Sequence, residues 1–287
     1  SRVRRRIKTD ASVKFGSGDD CAVLFFDAGR YQLYTCDMIV EGVDFLPSHD
    51  PYLVGRKAMA VNISDIAACG GVPRHCVVSL AAPKTTSVRY LDKLCDGLLD
   101  MAGRYKINLV GGDMSSARQI MIDVSMLGLV EKRCLALRST ARPGDILCVT
   151  GSLGGSAKGK HLRFDPRLPE SRMLVKNFGI TSMIDISDGL LQDLGHITHA
   201  SNVGATLLAE AIPLSKHARD LADALYSGED FELLFTLPAA QAHRLFVREP
   251  GVFTPIGCMT EQSEGIRVLD ARGRVLKVTG KGYAHFS

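Results

Sequence analysis

The chain has 287 residues, 46% of them hydrophobic, which exceeds the usual size of one domain and allows one large core or two moderate ones. Thirty-five Lys and Arg against 31 Asp and Glu leave a formal net charge of +4, scattered except for Arg2, Arg4, Arg5 and Arg6, so the composition excludes the broad basic stripe of a nucleic-acid binder. No apolar run approaches the roughly 18 residues that span a bilayer, and no charged-then-apolar leader precedes the first motif, so a soluble, cytoplasmic protein without a membrane partner is expected.

In chain order, residues 22–26 and 32–36 read as two short strands joined by a turn at Asp27-Ala28-Gly29-Arg30, with Gly18-Asp19-Asp20 before the first and Thr35-Cys36-Asp37 closing the second. Residues 53–68 have helical spacing through Val54, Ala58, Val61 and Ile66 and stop before Gly70-Gly71-Val72-Pro73, which puts Asp65 in the last turns. A strand at 76–81 follows, then a long amphipathic helix marked by Val88, Leu91, Leu94, Leu98, Met101 and Tyr105. The strand 107–110 delivers Gly111-Gly112-Asp113, and a further strand at 120–130 completes an α/β first half. The turn signal Arg142-Pro143-Gly144-Asp145 marks a boundary between domains at 1–142 and 143–287. The second half reads as a strand at 146–150, a glycine-rich segment, a helix at 188–200, strands at 205–208 and 231–236, and a hairpin over 266–278 turning at Asp270-Ala271-Arg272-Gly273. Strands and helices alternate in both halves, so the class is α/β or α+β with mixed sheets.

Eight cysteines are present, none in a C-x-x-C pair, and most lie in apolar stretches, so they read as buried thiols of a reduced compartment. Cys36 differs because it falls inside an acidic motif. Gly154-Gly155-Ser156-Ala157-Lys158-Gly159-Lys160-His161 almost spells a P-loop but carries His161 where a Mg²⁺-binding hydroxyl is needed, so it reads as a plain loop.

Carboxylates recur at the ends of short apolar runs: Asp20, Asp37, Asp65, Asp113, and Asp185 with Asp188 in Asp185-Ile186-Ser187-Asp188-Gly189. Each motif alone is an ordinary turn or helix cap. If they converge, each pair at about 4 Å repels by roughly 4 kcal/mol at an effective dielectric of 20, so the cluster requires cations. Mg²⁺ takes oxygen ligands and commonly bridges carboxylates to substrate phosphates, which points to phosphate chemistry.

The ordered series GDDCAVL, TCDMIVEG, AVNISDIAACGG, GGDMSS, RPGDILCVTGSLGGSAKG, IDISDGLLQDL, SGEDFELLFT and the closing KGYAHF resembles the bacterial thiamine-monophosphate kinases from about Gly16 to Phe286. These kinases lie within a superfamily that includes aminoimidazole ribonucleotide synthetase, selenophosphate synthetase and a hydrogenase-maturation protein. The resemblance implies two α/β domains, the first pairing its sheet with a second copy in a homodimer. It also implies direct phosphoryl transfer from ATP to thiamine monophosphate with several Mg²⁺ ions. By the same resemblance the metal ligands fall on Asp20, Thr35, Cys36, Asp37, Asp65, Asp113, Asp185 and Asp188, and the nucleotide contacts on Gly112, Asp113, Arg138 and Ser187. Glu229 and Tyr283 fall at the thiamine side, where a carboxylate meets a cationic or amino-bearing ring and an aromatic face stacks on it.

Two positions depart from the family pattern. Asp44 stands where a substrate-contacting histidine is usual, which leaves the substrate contact there open. Cys36 replaces Thr or Ser, and a thiol is a poor Mg²⁺ ligand, so a metal contact there has to come from the backbone carbonyl. The segments 159–166 and 216–227 also look short for the family. A superfamily synthetase that activates an amide or formyl oxygen with ATP, and a nucleotide-binding protein without turnover, are the alternative readings.

Overall fold

Apolar runs of the first half form six strands: β1 (Val13–Phe15), β2 (Ala22–Phe25), β3 (Arg30–Val40), β4 (Val72–Ala82), β5 (Asn108–Ser116) and β6 (Met121–Glu131). The computed structural model describes residues 6–277, and its strands in this half hydrogen-bond in the order β1-β2-β3-β6-β4-β5. β4 and β5 run parallel; the other pairings are antiparallel. Side chains alternate along β3, so Leu33, Thr35 and Ile39 are buried against the helical side while Tyr34, Cys36 and Met38 face out.

Helix α1 (Pro51–Ala68) covers the buried side. Asp50 caps it by accepting from the Tyr52 N–H, and Pro51 sits at the first position, where its missing N–H costs nothing. Nearly the whole helix is buried, including Lys57, Asn62 and Ser64. Polar groups survive there because they are bonded: Lys57 Nζ donates to Asp44 O at 2.6 Å, and Asn62 Nδ2 donates to Ala58 O at 3.1 Å. The amphipathic α2 (Val88–Tyr105) packs on α1 through Leu94, Leu98 and Met101.

The second half builds another mixed sheet from β7 (Ile146–Thr150), β8 (Ser182–Asp185), β9 (Val203–Leu208), β10 (Leu233–Leu237), β11 (Phe253–Glu261) and β12 (Ile266–Leu269). The order is β12-β9-β11-β7-β10-β8, with β9 and β12 parallel. Its helices are α3 (Lys160–Arg163), α4 (Leu168–Asn177), α5 (Leu190–Ser201), α6 (Leu221–Tyr226) and α7 (Ala239–Arg248). Leu147, Val149, Ile184, Leu194, Leu234 and Ile256 lie in its core, each burial contributing about 1.5–3 kcal/mol.

Contacts divide the chain into two units, one comprising the chain up to Leu135 with Leu162–Leu168, the other Ala136–His161 with the remainder from Pro169. The Arg142-Pro143-Gly144-Asp145 turn thus lies inside the second unit. The residues before it are held there, since Ala141 joins that core and Arg138 O accepts from the Ser182 and Ser201 hydroxyls. The return segment is tied to the first unit by Asp165, which pairs with Arg56 and Arg104.

Two mixed α/β units agree with the sequence-based class; several details differ. Gly111-Gly112-Asp113 lies within β5 instead of ending it. Glycine is required there because a Cβ on Gly112 would stand 2.0 Å from Val78 O on the parallel neighbour. β10 begins at Leu233, because Glu229 and Phe231 have φ of +64° and +50°, outside strand geometry. β11 is unreadable as an alternating strand because Pro255 and Gly257 interrupt it at a register shift. Among the described residues, no helix is long and apolar enough to cross a membrane.

Candidate functional site

In the first unit, alternation in β3 puts Thr35 and Asp37 on the side of α1, and the last turns of α1 bring Asp65 beneath them. Thr35 Oγ1 donates to Asp65 Oδ2, which fixes the direction of that carboxylate. Asp20, at the end of the turn before β2, presents a carboxylate oxygen within 4.8 Å of one on Asp65. The Asp37 N–H donates to Asn62 Oδ1 at 3.1 Å, so Asn62, three residues before Asp65 in α1, locks the strand to the helix beside the cluster. Hard oxygen atoms dominate this set, and two carboxylates this close favour a divalent cation, so the residues fit Mg²⁺.

Asp19 and the buried thiol of Cys69 also come within 4.8 Å of Asp20. Sequence reading missed Cys69, which follows α1, because its approach to the Asp19-Asp20 turn is purely tertiary. Cys36 stands on the opposite face of β3: its Sγ donates to Asp123 Oδ1 at 3.1 Å and accepts from Ser125 Oγ at 3.3 Å. Facing away from α1, its side chain takes no part in the Thr35–Asp65 arrangement, and desolvation pushes its thiol up. Deeper in the cores, burial pushes the Cys76 thiol up to about 11 and the Cys148 thiol up to about 12, which disfavours their reactive thiolates.

Gly112 is in register with Val78, which pairs with Val124 and, through it, Asp37; the three strand spacings amount to about 14 Å. Asp113 lies opposite Ser79 on the exposed face, so the sheet keeps it apart from the Asp20–Asp65 pair. The Asp44 carboxylate folds back and accepts from the Val40 N–H at 2.7 Å, shaping the turn after β3.

In the second unit, Asp185 is the buried last residue of β8, and Ser187 and Asp188 occupy the turn before α5. Asp193, unremarked in the sequence, accepts from the Asp188 and Gly189 N–H groups at 3.0 and 3.1 Å and so closes the helix start. Asp188 Oδ2 accepts from Gln192 Nε2 at 2.8 Å. The Glu229 N–H donates to Ser187 O at 2.7 Å, so Glu229 is held against the Ser187-Asp188 turn. Arg138 opens a short 3₁₀ turn and is half-buried. Tyr283 lies outside the described residues.

The glycine-rich segment is braced. Gly154 N–H donates to both oxygens of buried Asp230 at 3.1 and 3.0 Å, and Ser156 Oγ donates to one of them at 2.5 Å. Lys160 Nζ donates to Ser152 O at 2.8 Å and Glu232 Oε1 at 2.9 Å. With its lysine and this amide committed internally, the segment is not a P-loop.

Two family models match, "AIR synthase related protein, N-terminal domain" over residues 18–130 and "AIR synthase related protein, C-terminal domain" over 142–270. The chain is 33% identical to the thiamine-monophosphate kinase of Buchnera aphidicola subsp. Acyrthosiphon pisum, over 99% of this chain and 96% of that protein. It is 35% identical to that of Escherichia coli K12, covering 96% and 93%. A solved structure described as "AaThiL complexed with AMPPCP and TMP" superposes with a TM-score of 0.83 at 32% identity, covering 94% of this chain and 91% of that one.

Proposed function

Because the chain belongs to the thiamine-monophosphate kinase family of AIR synthase related proteins, we propose that it transfers a phosphoryl group from ATP directly to the phosphate of thiamine monophosphate, giving thiamine diphosphate and ADP. The chain is a kinase. The observation that carries the reading of its chemistry is the Asp20–Asp65 carboxylate pair, with Thr35 orienting Asp65, in a chain similar over almost its whole length to such kinases.

Donor and acceptor are both anions, so positioning and charge neutralisation dominate the barrier, and the acceptor phosphate, already ionised, needs no strong base. Bound Mg²⁺ supplies that neutralisation. Asp20, Thr35, Asp37 and Asp65 would hold it in the first unit and Asp185 and Asp188 in the second, while Gly112, Asp113, Arg138 and Ser187 would meet the nucleotide. A guanidinium fork at Arg138 suits phosphate oxygens. Glu229 would face the cationic or amino-bearing rings of thiamine. All eight cysteines are free thiols, which accords with work in a reducing compartment such as the cytoplasm.

The test is thiamine diphosphate formation by the purified chain with Mg²⁺ and ATP. With thiamine monophosphate as acceptor, product is expected, and it disappears when a chelator removes the metal; no thiamine diphosphate, with ADP and free phosphate formed instead when an open-chain formyl-bearing ribonucleotide is supplied and ring-closed, overturns the reading.

A homodimer is proposed as well. Tyr34, Met38 and Val77 share the outer face of the first sheet and are 45%, 50% and 41% exposed, and the whole of β5 is exposed beside them. A second copy would cover this apolar face and shield the edge strand. Sedimentation is expected to give twice the 31.0 kDa chain mass; a single-chain mass at micromolar concentration would refute it.

A further inference from the structure

Residues 229–232, Glu-Asp-Phe-Glu, place three carboxylates in four positions, and two consecutive residues of another segment meet all three. Lys160 Nζ stands 2.9 Å from Glu232 Oε1 and 3.6 Å from Asp230 Oδ1. His161 Nδ1 stands 3.3 Å from Glu229 Oε2. Asp230 and Glu232 are buried and have further donors, Gly154 N–H and Ser156 Oγ for the first and Thr150 Oγ1 at 2.7 Å for the second. Only Glu229 turns toward solvent, its side chain 34% exposed over a His161 side chain that is 6% exposed.

The backbone beneath is just as constrained. Glu229 and Phe231 both hold left-handed φ, a conformation costing about 1–3 kcal/mol each that persists only when the surroundings over-determine it. Here the Glu229 and Phe231 N–H groups donate to Ser187 O and Ile186 O at 2.7 and 2.8 Å. With the main chain fixed, the direction of the Glu229 carboxylate depends on the groups that hold its tip, and a buried imidazole is one of them.

We infer that His161 is a positioning residue for substrate recognition: through Nδ1 it holds the Glu229 carboxylate in the orientation that meets the thiamine side of the acceptor. This rests on the substrate role proposed for Glu229. An imidazole N–H within hydrogen-bond reach of a carboxylate contributes more than a neutral pair and fixes one of its oxygens in space.

Steady-state kinetics of His161→Leu, His161→Asn and Glu229→Gln test it, with thermal scans to verify folding. His161→Leu is expected to raise KM for thiamine monophosphate about tenfold, the loss of one hydrogen bond to a charged group, with kcat and KM for ATP changed less than about twofold. His161→Asn, whose amide places a donor near the Nδ1 position, restores most of the affinity. On a Glu229→Gln background the leucine substitution adds nothing further. Where the leucine variant fails to fold, His161→Gln, which moves the donor to the Nε2 position, replaces it with the same expected KM. An increase in both KM values together with a fall in kcat, or full additivity with Glu229→Gln, overturns the inference. If Glu229→Gln raises KM and the His161 variants do not, the inference fails and the role of Glu229 stands; if Glu229→Gln leaves KM unchanged, both fall.

Discussion

Asp65→Asn is expected to lower thiamine diphosphate formation by about two to three orders of magnitude, the several kcal/mol that metal-borne charge stabilisation supplies, while making the metal-free protein no less stable. The two effects oppose each other because of where the carboxylate sits. Its oxygen lies within 4.8 Å of one on Asp20, a separation at which two charges repel by roughly 3.5 kcal/mol or more at an effective dielectric of 20. Asparagine removes one charge and keeps an oxygen that can accept the Thr35 hydroxyl. A thermal scan without Mg²⁺ should therefore show an unchanged or higher Tm for the variant, and added Mg²⁺ should raise the parent's Tm more than the variant's. A variant that turns over at the parental rate, or one destabilised without metal, would falsify the metal-site reading of this pair.

Lys160→Met is expected to destabilise the protein by about 3–5 kcal/mol, the cost of leaving buried carboxylates without their counter-charge. At about 2–4 °C of Tm per kcal/mol for a domain of this size, the shift is large. Lys160 is only 26% exposed at its side chain and its partners 0% and 2%, so water cannot replace the ammonium. The pH dependence has a definite sign. Burial pushes the Asp230 carboxyl above its usual range even though Lys160, Ser156 and the Gly154 N–H pull it down and Glu232 pushes it up. A carboxyl raised in the folded state binds its proton more tightly there, so its stabilising share is full below the unfolded value and is lost as pH rises through the folded one. Removing Lys160 raises it further. The Tm gap between parent and variant should then widen from acid toward neutral pH, and adding Glu232→Gln should recover part of it; a gap independent of pH would contradict this account.

Much of the first unit was legible because its signals are local. Two-residue alternation places Thr35 and Asp37 on one face of β3 and Cys36 on the other, and the helical spacing that ends at Gly70 carries Asp65 to the last turns of α1. What was not legible depends on pairings distant in sequence. Gly111-Gly112-Asp113 looks like a turn, yet the approach of β5 to Val78 makes it strand. The glycine-rich segment reads as a plain loop, and only Asp230 and Glu232, some seventy positions on, show that Lys160 in it is the counter-charge of buried carboxylates. Asp44 stands where the sequence resemblance puts a substrate contact, but its carboxylate is turned onto Val40, a local bond that leaves no trace in hydrophobic pattern.

The path of the chain between its two units limits how the protein can be dissected. The polypeptide changes unit after Leu135, after His161 and after Leu168, so no single cut yields both halves whole. A fragment ending at the 142–145 turn would leave behind Asp165, and with it the anion against which the buried Arg56 and the exposed Arg104 are set. Separate expression of the first half therefore calls for grafting 162–168 onto its end, and circular permutants are better opened in the exposed Asp270–Gly273 turn than at the apparent linker.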